Sequence, residues 1–339
     1  MYHNSTQLRA WTFSSQEELN EKRSASNQRY REEHQSKSQG KDPTTFFLSE
    51  GEERTLCESY EFLLRDFCKK FQPPVPPAVV GTSCAYFKRF YIYNTAMDYH
   101  PKYIMLTCVY LACKVEEFNV SISQFCGNLR PEEQEKMAEL ILSHELLVMQ
   151  QLNFQLTVHN PYRPMEGLFI DIKTRYPSLK QPELLRKGAE EFINRSLATD
   201  ACLLCSPSQI ALAALVSSSS RQDTNIDKYV TDFLMSGRDD PKDLPDVVNT
   251  IKLIRQLVRK MPQLKPEVAK QLERKLEKCR NEELNPESLI YKKKLQDQLN
   301  TEDEDIYIKH QQDAEVMTIL LSSNLLLFVF PSHLSCFIS

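Results

Sequence analysis

Glycine is scarce in this chain, at only 7 of 339 residues. Few turns with positive φ can be built cheaply without it, which disfavours a sandwich or barrel with its many tight hairpins. A surplus of positive charge is missing too: the net charge is −4 at neutral pH. The longest basic run is Lys292 to Lys294, read as a solvated helix face. A phosphate-backbone footprint needs clustered excess Lys and Arg, so direct nucleic-acid binding is not expected. Catalytic signatures are lacking as well. No G-x-G-x-x-G, P-loop, H-E-x-x-H or G-x-S-x-G occurs, and the glycines lie too far apart to cradle a phosphate. The chain is therefore read as a non-enzyme with no catalytic residue, metal or cofactor. The opening MYHNSTQLRAWTF has no continuous apolar core of a signal peptide, so secretion is not expected.

What is present points to long helices. Hydrophobic residues make up 41 % and charged residues 26 % of a chain long enough for two domains, each burying its own core. The expected class is all-α. The ten cysteines are scattered through apolar stretches and read as small reduced core residues. The single C-x-x-C, Cys202 to Cys205, encloses two leucines and has no second pair at zinc spacing, so it too reads as core. Among the seven histidines only His144 falls in a strongly apolar helix, where a satisfied core or interface imidazole is expected rather than a base. Glu116 and Glu117 sit where a helix runs out and read as solvated acids.

Along the chain, Ser15-Gln16-Glu17-Glu18 is a capping box opening a surface helix that docks on a larger body, with Trp11 and Phe13 as apolar anchors. Residues 36 to 43 read as a linker. Leu56, Tyr60, Leu63, Phe67 and Phe71 recur at helical spacing up to a proline-rich stop. Helices are then expected over 78–93, over 102–115 with Pro101 in the first turn, around 123–129, and along Met137, Leu140, Ile141, His144, Leu147, Val148 and Leu152. The second half repeats this plan at a displacement of 106: Pro101, Ile104 and Leu106 find Pro207, Ile210 and Leu212, and Tyr86 and Arg89 find Phe192 and Arg195. Its helices are expected near 161–175, 182–199, 207–219, 226–235 and 244–260. The Val268, Leu272, Leu276, Cys279 stripe adds a helix that folds back. The expected architecture is two tandem five-helix domains with flanking N- and C-terminal helices. Its parts are an N-terminal segment with a docking helix (1–50), the two domains (51–158 and 159–262), a C-terminal helical segment (263–300) and an acidic, then apolar, disordered tail (301–339).

From Ile104 to Val115 every residue is apolar except Thr107 and Lys114, so this helix should be covered on all sides, with its lysine where charge is expensive. Glu145, in a second apolar stretch, is the matching carboxylate. The residues alone leave two readings: a cation stabilising its helix C-terminus, or half of a pair that grips a partner. The segments LACKVEEF and ELLVMQQLNF resemble the third and fifth helices of the cyclin box, the first with its lysine and two acids, the second with its glutamate and terminal aromatic. The resemblance to the cyclins implies a two-box fold over roughly residues 50 to 260 and selects the second reading. By motif, Lys114 and Glu145 would hydrogen-bond a cyclin-dependent kinase, while Leu111, Val115, Met149, Phe154 and Leu156 would supply apolar contact.

Further segments, CAYFKRFY at 84–91, YHPKYIMLTC at 99–108 and VHNPYRP at 158–164, resemble a transcription-associated branch of the same family. That implies a regulatory subunit of the CDK-activating kinase in cell-cycle control and RNA polymerase II transcription. The implied partners are the kinase catalytic subunit, a RING-finger assembly subunit and the core of the transcription and repair factor TFIIH, in the nucleus. The alternative is a cyclin-fold transcription factor that binds promoter DNA, against which the charge balance argues. Ser5 and Thr301 are candidate phosphorylation sites on grounds of exposure. The stretch Val316 to Ile338 carries no Asp, Glu, Lys or Arg. Ser322-Ser323-Asn324, Pro331 and the lack of flanking basic residues argue for a divergent, disordered end over a membrane anchor.

Overall fold

The computed structural model describes residues 2–38, 43–234, 243–261, 265–297 and 300. All regular structure among them is helical: α1 (Thr6–Trp11), α2 (Gln16–Glu33), α3 (Pro43–Phe46), α4 (Glu50–Lys70), α5 (Pro77–Tyr93), α6 (Pro101–Val115), α7 (Ile122–Cys126), α8 (Gln134–Gln151), α9 (Tyr162–Arg175), α10 (Arg186–Ser196), α11 (Ala201–Leu204), α12 (Pro207–Arg221), α13 (Asp243–Arg259) and α14 (Pro266–Cys279). Residues 182–185 form a 3-10 turn ahead of α10, and 229–234 form a π-helical turn where an ordinary helix was expected. The chain divides into two units, 1–281 and 282–339. In the second, residues 289–297 are helical. The acidic cluster from Thr301 and the apolar stretch to Ile338 lie outside the described residues, as does part of the expected linker.

Helix starts follow the local chemistry. Ser49 and Glu52 form a reciprocal capping box on α4, with Ser49 N donating to Glu52 Oε2 at 2.8 Å and Glu52 N to Ser49 Oγ at 3.3 Å. At α2 the box is only half closed: Ser15 Oγ accepts from Glu18 N, but Glu18 Oε2 accepts from Ser14 N at 3.0 Å and Ser14 Oγ at 2.7 Å. Pro101 and Pro207 open α6 and α12. There the missing N–H loses no helical bond and φ is already helical.

Two cores form around these equivalent helices. Every residue of α6 from Tyr103 to Cys113 is buried, beneath α4, α5 and α8. In the second half α12 is surrounded by α9, α10 and α13, its Ala211, Ala213, Ala214 and Leu215 sealed from solvent. Two arginines at the 106-residue offset do the same work. Arg89 Nη1 donates to the Gln155 carbonyl at 3.3 Å, just past α8, and Arg195 Nη2 donates to the Val258 carbonyl at 3.1 Å, in the last turn of α13. Each ties the second helix of its repeat to the end of the last.

The flanking helices pack on the first repeat. From α2, Leu19 and Tyr30 enter the core, and Tyr30 Oη donates to the Cys279 carbonyl at 2.7 Å. From α14, Leu272, Leu276 and Cys279 do so, while Val268 stays half out in solvent at the helix start. A buried ionic group joins α2, α4 and the second repeat: Asp200 accepts from Arg23 at 2.8 and 2.9 Å and from Arg54 at 3.2 and 3.3 Å. Next to it Lys88 is paired with Glu61, both sealed from solvent.

Two expectations need correction here. Leu63 is 44 % exposed, whereas α14 contacts α4 through Lys275–Glu52 at 2.7 Å and Tyr60–Glu273 at 2.5 Å. Phe71, buried, lies one residue past the helix as its C-cap.

Candidate functional site

Lys114 and Glu145 are brought together by the packing of α6 on α8. Lys114 Nζ lies 2.6 Å and 2.8 Å from the two carboxylate oxygens and 4.7 Å from the Tyr110 ring centre, where the face of the ring attracts a cation. The lysine is not where the sequence pattern put it. Its side chain is 45 % exposed and that of Glu145 16 %. The cover over α6 ends at Cys113, so the last turn opens to water. In this setting the pair contributes only about 0.2–1 kcal/mol.

Both helices stop in the same way just beyond the pair. After α6, Phe118 N donates to the Cys113 carbonyl at 2.8 Å and Glu117 N to the Lys114 carbonyl at 3.3 Å, with Glu117 at φ 57°. After α8, Phe154 N donates to the Met149 carbonyl at 2.8 Å and Asn153 N to the Gln150 carbonyl at 2.8 Å, with Asn153 at φ 52°. These are paired Schellman closures, built without the usual glycine. Phe154 itself has φ 55° while its ring is 60 % exposed. A bulky residue held left-handed carries a strain of about 1 kcal/mol or more, and this one presents its ring to solvent in exchange.

The remaining expected contact residues divide. Val115, Met149 and Leu156 are half-buried, packed against the core with part of each surface free. Leu111 is a correction: at 2 % exposure it faces inward from the middle of α6 and has no surface to offer a partner. Two residues escaped the sequence reading altogether. Leu142 and Leu146 are 49 % and 54 % exposed on the same helix as Glu145 and Met149. Their spacing of four, continued to Met149 three further on, was the available signal. It was hidden because α8 is apolar on several sides at once.

Other candidates resolve structurally. His144 is buried, its Nδ1 2.7 Å from the Leu140 carbonyl, and burial lowers its pKa. Glu116 is half-buried and accepts from Thr82 Oγ1 at 2.6 Å, correcting its solvated reading, whereas Glu117 is exposed. Ser5 is half-buried, not exposed: its hydroxyl caps α1, accepting from Leu8 N at 3.3 Å and donating to the Tyr2 carbonyl at 2.7 Å. The nine described cysteines are free, and burial pushes the Cys205 thiol up to about 12. Among the described residues no His, Cys, Asp and Glu cluster has the arrangement to hold a metal, and no helix is long and apolar enough to cross a membrane.

Residues 18–157 match the family described as "Cyclin, N-terminal domain" and residues 160–259 match "Cyclin C-terminal domain". A cyclin-H from Xenopus laevis is 49 % identical over 286 residues, covering 84 % of this chain and 88 % of the relative. The chain belongs to the cyclin family. A probable cyclin-H from Echinococcus multilocularis is 32 % identical, over 68 % of this cyclin and 75 % of that protein. Among solved structures, a chain of the CAK complex of Chaetomium thermophilum bound to ATP-gamma-S is 27 % identical with a TM-score of 0.71, covering 82 % of this cyclin and 88 % of that chain. The two matched domains place Lys114 and Glu145 in the first cyclin box.

Proposed function

We propose that this cyclin is the regulatory subunit of a CDK-activating kinase acting in RNA polymerase II transcription, and that Lys114, Glu145, Val115, Met149, Phe154 and Leu156 form its kinase-docking surface. The observation that carries the docking reading is the exposed, doubly bonded Lys114–Glu145 pair set among half-buried and exposed apolar side chains at two matching helix ends. Such a pair adds little to the free protein. Once a partner excludes water, losing either member leaves an unpaired buried charge and costs about 3–5 kcal/mol, which gives geometric selectivity. The similarity to cyclin-H proteins and to a CAK chain supports the assignment.

The mechanism is positioning. Docking holds the kinase regulatory helix inward so that its glutamate meets the ATP-site lysine, and activity rises as that population grows. Every reacting group belongs to the kinase. The finer assignment extends to a RING-finger assembly subunit, the TFIIH core, a nuclear location, and roles in the cell cycle and nucleotide excision repair. The promoter-binding alternative gains nothing from the relatives above. The test is phosphorylation of a polymerase-tail peptide by the purified catalytic subunit with and without this chain. Strong activation is expected. No activation and no co-elution would overturn the assignment, and a reporter fusion excluded from nuclei would overturn the location.

A further inference from the structure

Arg89 on α5 is a buried cation with no counter-charge. It is 2 % exposed, and no carboxylate is paired with it among the described residues. Its Nη1 donates to the Gln155 carbonyl at 3.3 Å and its guanidinium lies 5.2 Å from the Trp11 ring centre. Its Nε, however, is the one buried side-chain nitrogen or oxygen without a hydrogen-bond partner among the described residues. Burial pulls the guanidinium pKa down to about 10, which still leaves it charged at neutral pH. The acidic groups acting on it are Cys202, Tyr86 and Tyr2; burial raises the pKa of all three, so none supplies a negative charge at that pH. The equivalent Arg195 of the second repeat is exposed, where water meets the charge. A charge taken out of water with one donor unmet and nothing of opposite sign beside it is costly.

Arg89 is also part of the wall of a cavity of about 20 Å³ at the junction of the two repeats, shared with Gln7 of α1 and with Cys202 and Cys205 of the second repeat. That volume admits one water-sized guest. We propose that this cavity binds a single monatomic anion of chloride size, held by Arg89 Nε. A water molecule would meet the N–H but leave the positive charge uncompensated, and phosphate or a carboxylate is too large for the space. No carboxylate lines the cavity to repel an anion, and the protonated thiols of Cys202 and Cys205 offer weak S–H donors. Occupancy then secures α1. Gln7 closes the cavity while bonded both ways to the His159 backbone, at 2.6 and 3.4 Å, and Trp11 covers the guanidinium while donating to Gln155 Oε1 at 2.8 Å. The ion thus ties the N-terminal helix to the joint between the two cyclin boxes.

Trp11 is the single tryptophan of the chain and is 1 % exposed, so its emission reports this site with little quenching from bulk solution. The test titrates sodium bromide, a heavy-atom quencher, into the full-length chain in sodium gluconate at fixed ionic strength, follows the tryptophan emission, and repeats the titration with chloride as competitor. Unfolding temperature is read in the same series, and crystals of wild type grown in bromide are examined for anomalous scattering. Quenching should saturate well below the total salt and be reversed by chloride. Either halide should raise the unfolding temperature by about 2 °C or more over gluconate, levelling off as the site fills. An anomalous peak should stand beside Arg89 Nε. Arg89→Met, which removes the charge and fills much of its space, should abolish the saturable quenching and the halide-dependent stabilisation. Weak, linear quenching of wild type, a halide-independent unfolding temperature, or saturable quenching retained in Arg89→Met each overturns the proposal. An ordered water beside Arg89 with no anomalous signal does so too, as does an anomalous peak without stabilisation, which marks binding at crystal concentration only. Should Arg89→Met fail to fold, the wild-type titration and the bromide crystal decide the matter by themselves.

Discussion

Replacing Asp200 by Asn should loosen the joint between the N-terminal helix and the second cyclin box. Asp200 is 5 % exposed and accepts from Arg23, itself 10 % exposed, and from Arg54, 26 % exposed. Burial alone would raise its pKa, but the Arg54 charge and the Arg23 hydrogen bonds outweigh burial and hold the carboxyl well below its ordinary range. Neutral asparagine keeps the shape and leaves Arg23 without its counter-charge, while Arg54 keeps Glu58 at 2.7 Å and Glu61 at 3.7 Å. Breaking a buried pair from one side costs about 3–5 kcal/mol. Residual exposure of Arg54 and asparagine's surviving carbonyl acceptor place the loss at the low end, roughly 3 kcal/mol, or a melting shift of about 6–12 °C. Arg23→Met, which removes a charge and fills its space, should cost less. The same group sets an acid limit. Its folded pKa is depressed, so its stabilisation is complete above the unfolded value of about 3.9 and is lost as pH falls below it. The assay is thermal unfolding of wild type, Asp200→Asn, Arg23→Met and the double variant at pH 7 and at descending pH down to 3. A shift below about 1 °C for Asp200→Asn, or strict additivity in the double variant, would refute the reasoning.

Four further outcomes follow from the packing. Leu276→Ala, at a fully buried position on α14, should cost about 2–5 kcal/mol and expose the C-terminal helix to limited proteolysis. Gly81→Ala would set a Cβ 2.0 Å from Asn160 Oδ1, a side chain held by bonds to Ala78 and Thr82. A loss of about 1–3 kcal/mol in urea unfolding is expected. Phe154→Gly relieves the left-handed strain, so it should raise free-protein stability by about 1 kcal/mol while weakening kinase binding. A joint fall in both would count against the strain argument. Glu145→Gln should change the urea midpoint of the free chain by the equivalent of under about 1 kcal/mol, since its partner Lys114 is 45 % exposed and the charge on it stays hydrated.

Much of the fold was readable because its punctuation is chemical. Pro101 and Pro207 start equivalent helices, Ser15 starts the N-terminal one, and the 106-residue offset carried the plan into the second half. The Lys114–Glu145 pairing was readable from family-like segments around it. Which apolar residues face outward was not. In α6 and α8 apolar side chains occur on several faces, so periodicity could not separate inward Leu111 from half-buried Met149 or exposed Leu146. Lys114 misled because the run around it is apolar while its own turn lies past the end of the cover. The Asp200 group was invisible for another reason: its arginines lie 146 and 177 positions away in the chain. Only the folded arrangement of α2, α4 and the second box brings them together.

The measurement that bears most directly on the docking surface is a double-mutant cycle at Lys114 and Glu145, read both as free-chain stability and as affinity for the kinase catalytic subunit. A coupling under about 1 kcal/mol in stability is expected, with one of about 1.5 kcal/mol or more in kinase affinity. Equal coupling in the two readouts, or none in affinity, would contradict the claim that this exposed pair becomes a buried clamp on the kinase.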